Sequence, residues 1–200
     1  MPERYAYHAA FPSGYGSRAV ILVVAATEWE LESVEGAETL AMGIGPVEAT
    51  VATARALASG SYQAVVNIGI AGARTLEPPT VVIGSEAVYQ DVVDPGSRLA
   101  RVTRVPADAG LLATARAALP DAAVLPIATC GRVGGGGDSE VEAMEGFGVL
   151  RAAELAGVPA LEIRAISNLV SQHDRGAWRV EEALAALSTA TAALIASIDA

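Results

Sequence analysis

Residues 19–26 read Ala-Val-Ile-Leu-Val-Val-Ala-Ala, an unbroken apolar run with no polar alternation. A strand with one wet face alternates in polarity, whereas a strand covered on both faces does not. The run therefore predicts a strand held between two layers. It is too short to cross a bilayer, which takes about 20 apolar residues. Outward from it, Ala64–Ile70 reads as another buried strand, and Ala122–Thr129 and Ala160–Ser167 as further strands. Val81–Val93 reads as strand with a polar break at Gly84-Ser85-Glu86, and Thr39–Met42 as a short strand. Helices are expected over Val47–Ser59 behind Pro46, and over Asp108–Leu119 with Asp108 as N-cap. Two more are expected, over Val141–Ala156 stopped by Gly157 and over Trp178–Ile198. Turns are expected at Gly43–Pro46 and Ala71–Ala73, and a glycine loop at Gly134–Gly137. Strands alternating with helices predict one α/β domain with a mainly parallel or mixed central sheet flanked by helices. That domain covers residues 19–200, and residues 1–18, without clear period, read as an N-terminal extension.

Composition narrows the chemistry. The chain has 200 residues, 52% hydrophobic and 18% charged, which favours one well-packed domain over disorder. All 13 cationic residues are Arg. Without lysine there is no Schiff base, no pyridoxal anchor and no P-loop. Cys130 alone excludes a disulfide framework and a Cys-rich zinc site, and His8 and His173 make a His-rich metal site implausible. A net charge of -10 argues against binding duplex nucleic acid, which needs a basic face. No secretory signal is visible, so the expected location is the cytoplasm, away from membranes.

Ligands of open α/β sheets bind beyond the carboxyl ends of the strands. After the first strand stand Thr27, Glu28, Trp29 and Glu30; at the end of the third, Ile70, Ala71 and Gly72. After the glycine loop come Glu142, Met144 and Glu145, and after the last strand Ser167 and Asn168. This set holds carboxylates and an amide, with no Ser–His pair, metal cluster or dinucleotide fingerprint. Carboxylates there suit hydrolysis through an oxocarbenium-like transition state. Plainer roles stay open. Glu28 and Glu30 also suit a solvated first helical turn, Glu142 a solvated surface or a place behind the site, Met144 a core, and Asn168 a cap or turn. Arg164 reads as a structural partner of a buried carboxylate, His173 as a loop residue, Cys130 as buried and inert, and Trp29 and Phe147 as packing residues. The glycine loop could cradle an anion, although no cation or helix start follows it directly.

Four segments resemble the nucleoside phosphorylase/nucleosidase superfamily. They are residues 25–30 (Ala-Ala-Thr-Glu-Trp-Glu), 43–46 (Gly-Ile-Gly-Pro), 84–91 (Gly-Ser-Glu-Ala-Val-Tyr-Gln-Asp), and 142–146 (Glu-Ala-Met-Glu-Gly) followed by 163–168 (Ile-Arg-Ala-Ile-Ser-Asn). Their order is the family's own. The tail from Asn168 through Asp174, Arg175 and Trp178 is similar to the futalosine hydrolases, which cleave hypoxanthine from futalosine in an alternative menaquinone pathway.

The resemblance implies a cofactor-free and metal-free hydrolase of purine nucleosides, forming a homodimer or larger assembly. It implies that Glu30 positions and activates water, Glu145 binds the ribose hydroxyls, and Met144 packs under the sugar. It implies that Ile70, Ala71 and Gly72 line the base and ribose site, and that Asn168 meets the five-membered ring of the purine. Methylthioadenosine-type nucleosidases carry Asp at that last position. An amide cannot act as an acid, but it can donate to a 6-oxo group and accept from a protonated ring nitrogen. Hypoxanthine or guanine therefore fits Asn168 better than adenine. A methylthioadenosine/S-adenosylhomocysteine-type nucleosidase, a purine nucleoside phosphorylase, and an inactive nucleoside-binding module are the alternatives. Glu28 and Glu30 after the first strand would repel phosphate, which favours hydrolysis over phosphorolysis.

Overall fold

Alternate residues of the opening run go to opposite sides of one sheet. In the computed structural model, which describes residues 20–93, 96 and 98–198, strand β1 spans Val20–Ala25. Its Ile21, Val23 and Ala25 join one core cluster, with Leu111 and Ala115 of α2 (Ala109–Ala118) and Leu187 and Leu194 of α4 (Val180–Ile198). Its Leu22 and Val24 join another, with Ala49 of α1 (Pro46–Ser59) and Val149, Leu150 and Ala153 of α3 (Gly146–Ala156). Each such large side chain taken from water stabilises the fold by roughly 1.5–3 kcal/mol, so neither face of β1 can be left open. The remaining strands are β2 (Glu38–Ala41), β3 (Tyr62–Ala73), β4 (Val81–Tyr89), β5 (Arg104–Pro106), β6 (Ala123–Thr129), β7 (Val141–Ala143) and β8 (Ala160–Leu169).

The sheet is mixed. β1 pairs in parallel with β2 and with the first half of β3. β3 pairs with β8, β8 with β4, β4 with β6, β6 with β7, and β7 returns to the end of β3 at Gly72 and Ala73. Those five strands close a ring, with β1 and β2 as a flange on one side and β5 on the other. The ring brings the carboxyl ends of β3 and β8 beside β7, and that junction places the site.

Local signals act as expected at several points. The Asp108 carboxylate accepts from the Gly110 and Leu111 N–H groups at 2.9 Å, capping α2. Gly157 ends α3 at φ +70°, a left-handed conformation that a Cβ disfavours. The polar break in β4 is a register shift between Gly84 and Ala87.

Other expectations change. Ala71–Ala73 is not a turn but the end of β3, paired with β7 and β8. Its small residues serve close approach, since a Cβ on Gly72 would lie 3.3 Å from Asn168 Nδ2. Residues 141–156 are not one helix: 141–143 form β7, and the helix starts at Gly146. A strand of three residues is too short to show a period, and its pairing is tertiary. Trp178 stands outside α4, after a 3-10 turn at Arg175–Ala177 capped by Asp174. The extension expected over residues 1–18 lies outside the described residues. Among the described residues, α4 is the one helix long and apolar enough to cross a membrane. Its Ala183, Leu187, Leu194 and Ile195 are buried in the core between the sheet and α2.

Candidate active site

A cavity of about 400 Å³ opens where β1, β3, β7 and β8 end. Glu30, Ile70, Ala71, Gly72, Met144, Glu145 and Asn168 all line it. Seven residues picked from four separated stretches of sequence thus face one space.

Glu30 enters from the turn after β1. Its Oε2 accepts from the Thr27 N–H (3.0 Å) and hydroxyl (2.9 Å), and its Oε1 from the Ile70 N–H (3.2 Å). A carboxylate has about four acceptor sites, so one remains for a ligand or water. Glu28, its neighbour, is exposed and outside the lining. The charge argument against phosphate therefore rests on Glu30 rather than on a pair.

Glu145 stands at the N-cap position of α3 and is buried, its carboxylate turned away from the helix N–H groups. Its Oε1 accepts from the Gly45 N–H at 3.0 Å, and its Oε2 from Arg164 Nη2 and the Met144 N–H, each at 3.3 Å. Gly45 stands at φ +98°, which turns its N–H toward this carboxylate and needs glycine. Arg164, on β8, is fully buried and also gives its Nε to Glu162 Oε1 at 2.8 Å. It reads as the partner of buried carboxylates, and here it serves two. A charge so placed needs such partners, because desolvation of an unpaired ion costs several kcal/mol. Its guanidinium lies on Gly69, where a Cβ would collide with Nη1 and sit 2.9 Å from Glu30 Oε1. Burial pushes the Glu162 carboxyl above its ordinary range even with Arg164 beside it, whereas Glu162, Glu145 and Glu30 hold Arg164 up.

Glu142 is not a solvated carboxylate. It is buried on β7 and lines the cavity, accepting from the Gly134 N–H and, at 2.8 Å, the Gly136 N–H. The glycine loop thus binds an anion of its own chain. Gly134, at φ +75°, and the crowding of Gly136 by Glu142 explain the glycines. Glu142 stands among the strand-end candidates of the sequence, but the short strand β7 hid its burial; the glycine run eight residues before it is the signal that could have found its partners.

Asn168 ends β8 and is buried. Its Nδ2 donates to the Leu169 carbonyl at 3.1 Å, which fixes the amide orientation, and its Oδ1 accepts from the Ser167 hydroxyl at 2.9 Å. One N–H and one lone pair remain. Arg132, Val133, Arg175 and Trp178 also line the cavity and were not singled out as site residues from sequence. Arg175 lies over the Trp178 ring at 5.4 Å. His173 is exposed and outside the lining. Trp29 is 73% exposed rather than packed, while Phe147 stacks on Tyr89 at 5.0 Å. Cys130 is buried, and burial with Glu142 and Asp91 nearby pushes its thiol up to about 12, so it stays protonated and unreactive. No group of three potential metal ligands occurs among the described residues.

The sequence profile of the phosphorylase superfamily matches residues 34–200. A futalosine hydrolase of Streptomyces coelicolor is 36% identical over 188 residues, covering 80% of this chain and 79% of that protein. A futalosine hydrolase of Acidothermus cellulolyticus is 53% identical over 53 residues, 26% of this chain and 22% of that protein. Among solved structures, a methylthioadenosine/S-adenosylhomocysteine nucleosidase of Colwellia psychrerythraea bound to adenine superposes with a TM-score of 0.78 at 19% identity, covering 90% of this chain and 96% of that one. A futalosine hydrolase mutant of Helicobacter pylori superposes at 0.76 with 17% identity, covering 91% and 99%. The two structural likenesses speak for the fold; with the profile match and the Streptomyces relative, the chain belongs to the nucleoside phosphorylase/nucleosidase superfamily.

Proposed function

We propose that this protein is a purine nucleosidase that hydrolyses the N-ribosidic bond of futalosine, releasing hypoxanthine and dehypoxanthine futalosine in the alternative menaquinone route. The carrying observation is Asn168, a buried amide in the cavity with one N–H and one lone pair unspent. A departing purine protonated on its five-membered ring offers a donor there, and a 6-oxo group beside it offers an acceptor. Asn168 meets both; a 6-amino group would set donor against donor. The Streptomyces relative supports the same substrate.

In this reading the ribose lies over Met144 with its hydroxyls on Glu145. Glu30 takes a proton from water as the water oxygen bonds to the anomeric carbon and the bond to the base breaks. The base leaves with the electron pair of that bond, its five-membered ring taking a proton from solvent water, since Asn168 can only accept from that N–H. Glu142 and Glu145, both held in place by hydrogen bonds, favour the positive charge that develops on the sugar. Arg164, the buried cation of the cavity, is committed to Glu145 and Glu162 and is not free for phosphate. Pairing of two copies would cover apolar surface, and Ile44, Val47 and Val51, exposed on the turn and first turns of α1, offer some.

Incubation with futalosine and with methylthioadenosine, followed by identification of the released base, tests the reading. Hypoxanthine from futalosine, at a rate independent of added phosphate, is the expected result. Adenine release without hypoxanthine, or strict dependence on phosphate, would overturn it.

A further inference from the structure

A neutral nucleoside enters the cavity, and a sugar bearing positive charge forms there as the bond to the base breaks. Glu30, Glu142 and Glu145 suit that charge, but Arg164 lines the same cavity and opposes it. Its Nη2 donates to Glu145 Oε2 at 3.3 Å. Its Nη1 lies over Gly69, where a Cβ would collide with it and sit 2.9 Å from Glu30 Oε1. The guanidinium thus draws on two of the carboxylates that the sugar would use.

Glu162 lies on the other side of that guanidinium. It is fully buried and outside the cavity lining. Its Oε1 accepts from Arg164 Nε at 2.8 Å, a shorter bond than the one Arg164 makes to Glu145. Its Oε2 has no hydrogen-bond partner among the described residues. The charged groups that face it are Arg164, on β8 itself, and Glu145, at the start of α3; β3 presents Asn67 and β4 presents Gly84, neither of which titrates. Holding Arg164 in place does not require a charge here, since an amide oxygen would also accept from Nε. An enclosed carboxylate with one oxygen unsatisfied is costly, and burial holds its carboxyl above the ordinary range.

We propose that Glu162 is a positioning residue of the reaction: from behind, it holds Arg164 and offsets its charge, leaving the cavity-side carboxylates free to stabilise the sugar cation. This rests on the nucleosidase reading above. The benefit falls on the transition state, because the bound nucleoside is neutral and the sugar in the transition state is not. Glu162 therefore acts on kcat and leaves KM alone, and it does so only while ionised. A charge that burial disfavours is kept for the moment at which the bond breaks.

Glu162→Gln and Glu162→Met, both uncharged and of similar length, test this with futalosine as substrate, once thermal unfolding has shown which of them fold. The ratio of parent to variant kcat should lie near one at about pH 5, where Glu162 is protonated in the parent, and rise to about tenfold at about pH 8, with KM unchanged. Glu162→Asp keeps the charge and should keep part of that rise. A purely structural Glu162 would lower kcat by the same factor at every pH.

A second measurement needs no turnover. 9-Deazainosine, whose carbon–carbon glycosidic bond resists hydrolysis, is neutral, whereas 9-deazahypoxanthine joined through a methylene to a hydroxypyrrolidine places an ammonium near the position of the anomeric carbon. At about pH 8 the parent's preference for the cation over the neutral compound should exceed that of the uncharged variants by about tenfold, with 9-deazainosine bound equally by all. A kcat ratio independent of pH, a loss that falls on KM, or an equal cation preference in parent and variants overturns the role of Glu162 alone. Failure of 9-deazainosine to bind the parent removes the base and ribose reading, and this role with it, so the two ideas fail in distinguishable ways.

Discussion

Asn168 and Glu30 are where single atoms decide the chemistry. The Leu169 carbonyl accepts from Asn168 Nδ2 at 3.1 Å, so the remaining N–H and the remaining lone pair keep fixed directions. Asn168→Asp replaces that N–H with a second acceptor at ordinary pH, opposite the oxygen of a 6-oxo purine. The ratio of hypoxanthine release to adenine release, from inosine-type and adenosine-type substrates, should fall by about 100-fold or more. An unchanged ratio would remove Asn168 from base selection. Glu30 is held through both oxygens, Oε2 by the Thr27 N–H and hydroxyl and Oε1 by the Ile70 N–H; an amide keeps the two Thr27 donors on its oxygen and gives up the Ile70 bond. Glu30→Gln should therefore keep the fold while losing the base. A fall in kcat of about 10²–10⁴ is expected, with a thermal midpoint lowered by only about 2–4 °C for the lost Ile70 bond. Near-normal turnover would leave water activation to another group.

At the scale of elements, the site depends on β3 running close under β8. Gly69 is the point of contact, with the Arg164 guanidinium lying where a Cβ would stand. Arg164 cannot simply swing aside, because its Nε and Nη2 are engaged by Glu162 and Glu145. Gly69→Ala should cost about 1–3 kcal/mol of stability through overpacking. It should also lower kcat/KM, because Glu145 loses its fixed partner. Denaturant unfolding and steady-state kinetics on the same sample check both effects, and an alanine variant with wild-type stability would show that the contact can relax. The sequence disclosed β1, because burial on both faces leaves a continuous apolar run. It also disclosed the α2 cap at Asp108 and the helix stop at Gly157, which are local signals. It did not disclose β7, whose pairing with Gly72 and Ala73 is made across the fold. For the same reason Glu142 looked solvated, and Ala71–Ala73 looked like a turn. Glu162 and Arg164 alternate on a strand as any surface pair would; only closure of the ring buries them.

For the molecule as a whole, the buried ionic cluster couples the site to stability. Glu162 is completely enclosed, with Oε1 accepting from Arg164 Nε at 2.8 Å and Asn67 Nδ2 at 3.3 Å. Its Oε2 has no hydrogen-bond partner among the described residues and faces Gly146 at the start of α3. One guanidinium thus serves two buried carboxylates, and desolvation outweighs its attraction at Glu162, raising the carboxyl above its ordinary range; the Glu145 charge adds to the rise. A raised native value means that the folded protein binds this proton more tightly than the unfolded chain does. The resulting stabilisation is complete below the ordinary carboxylate range and is lost as pH rises through the Glu162 value. Glu162→Gln carries a neutral side chain of the same shape at every pH. Its thermal midpoint should lie near that of the parent protein at about pH 4, where Glu162 is protonated. As pH rises the parent should fall relative to the variant, and the gap should level off once Glu162 has ionised. Thermal unfolding of both proteins from about pH 4 to pH 8 measures that gap directly. A gap that stays constant with pH would mean that Glu162 holds its proton in the fold no more tightly than in the unfolded chain, and a parent that falls relative to the variant as pH drops would mean that Arg164 keeps Glu162 ionised; either outcome would show the cluster balanced by its cation rather than strained by burial.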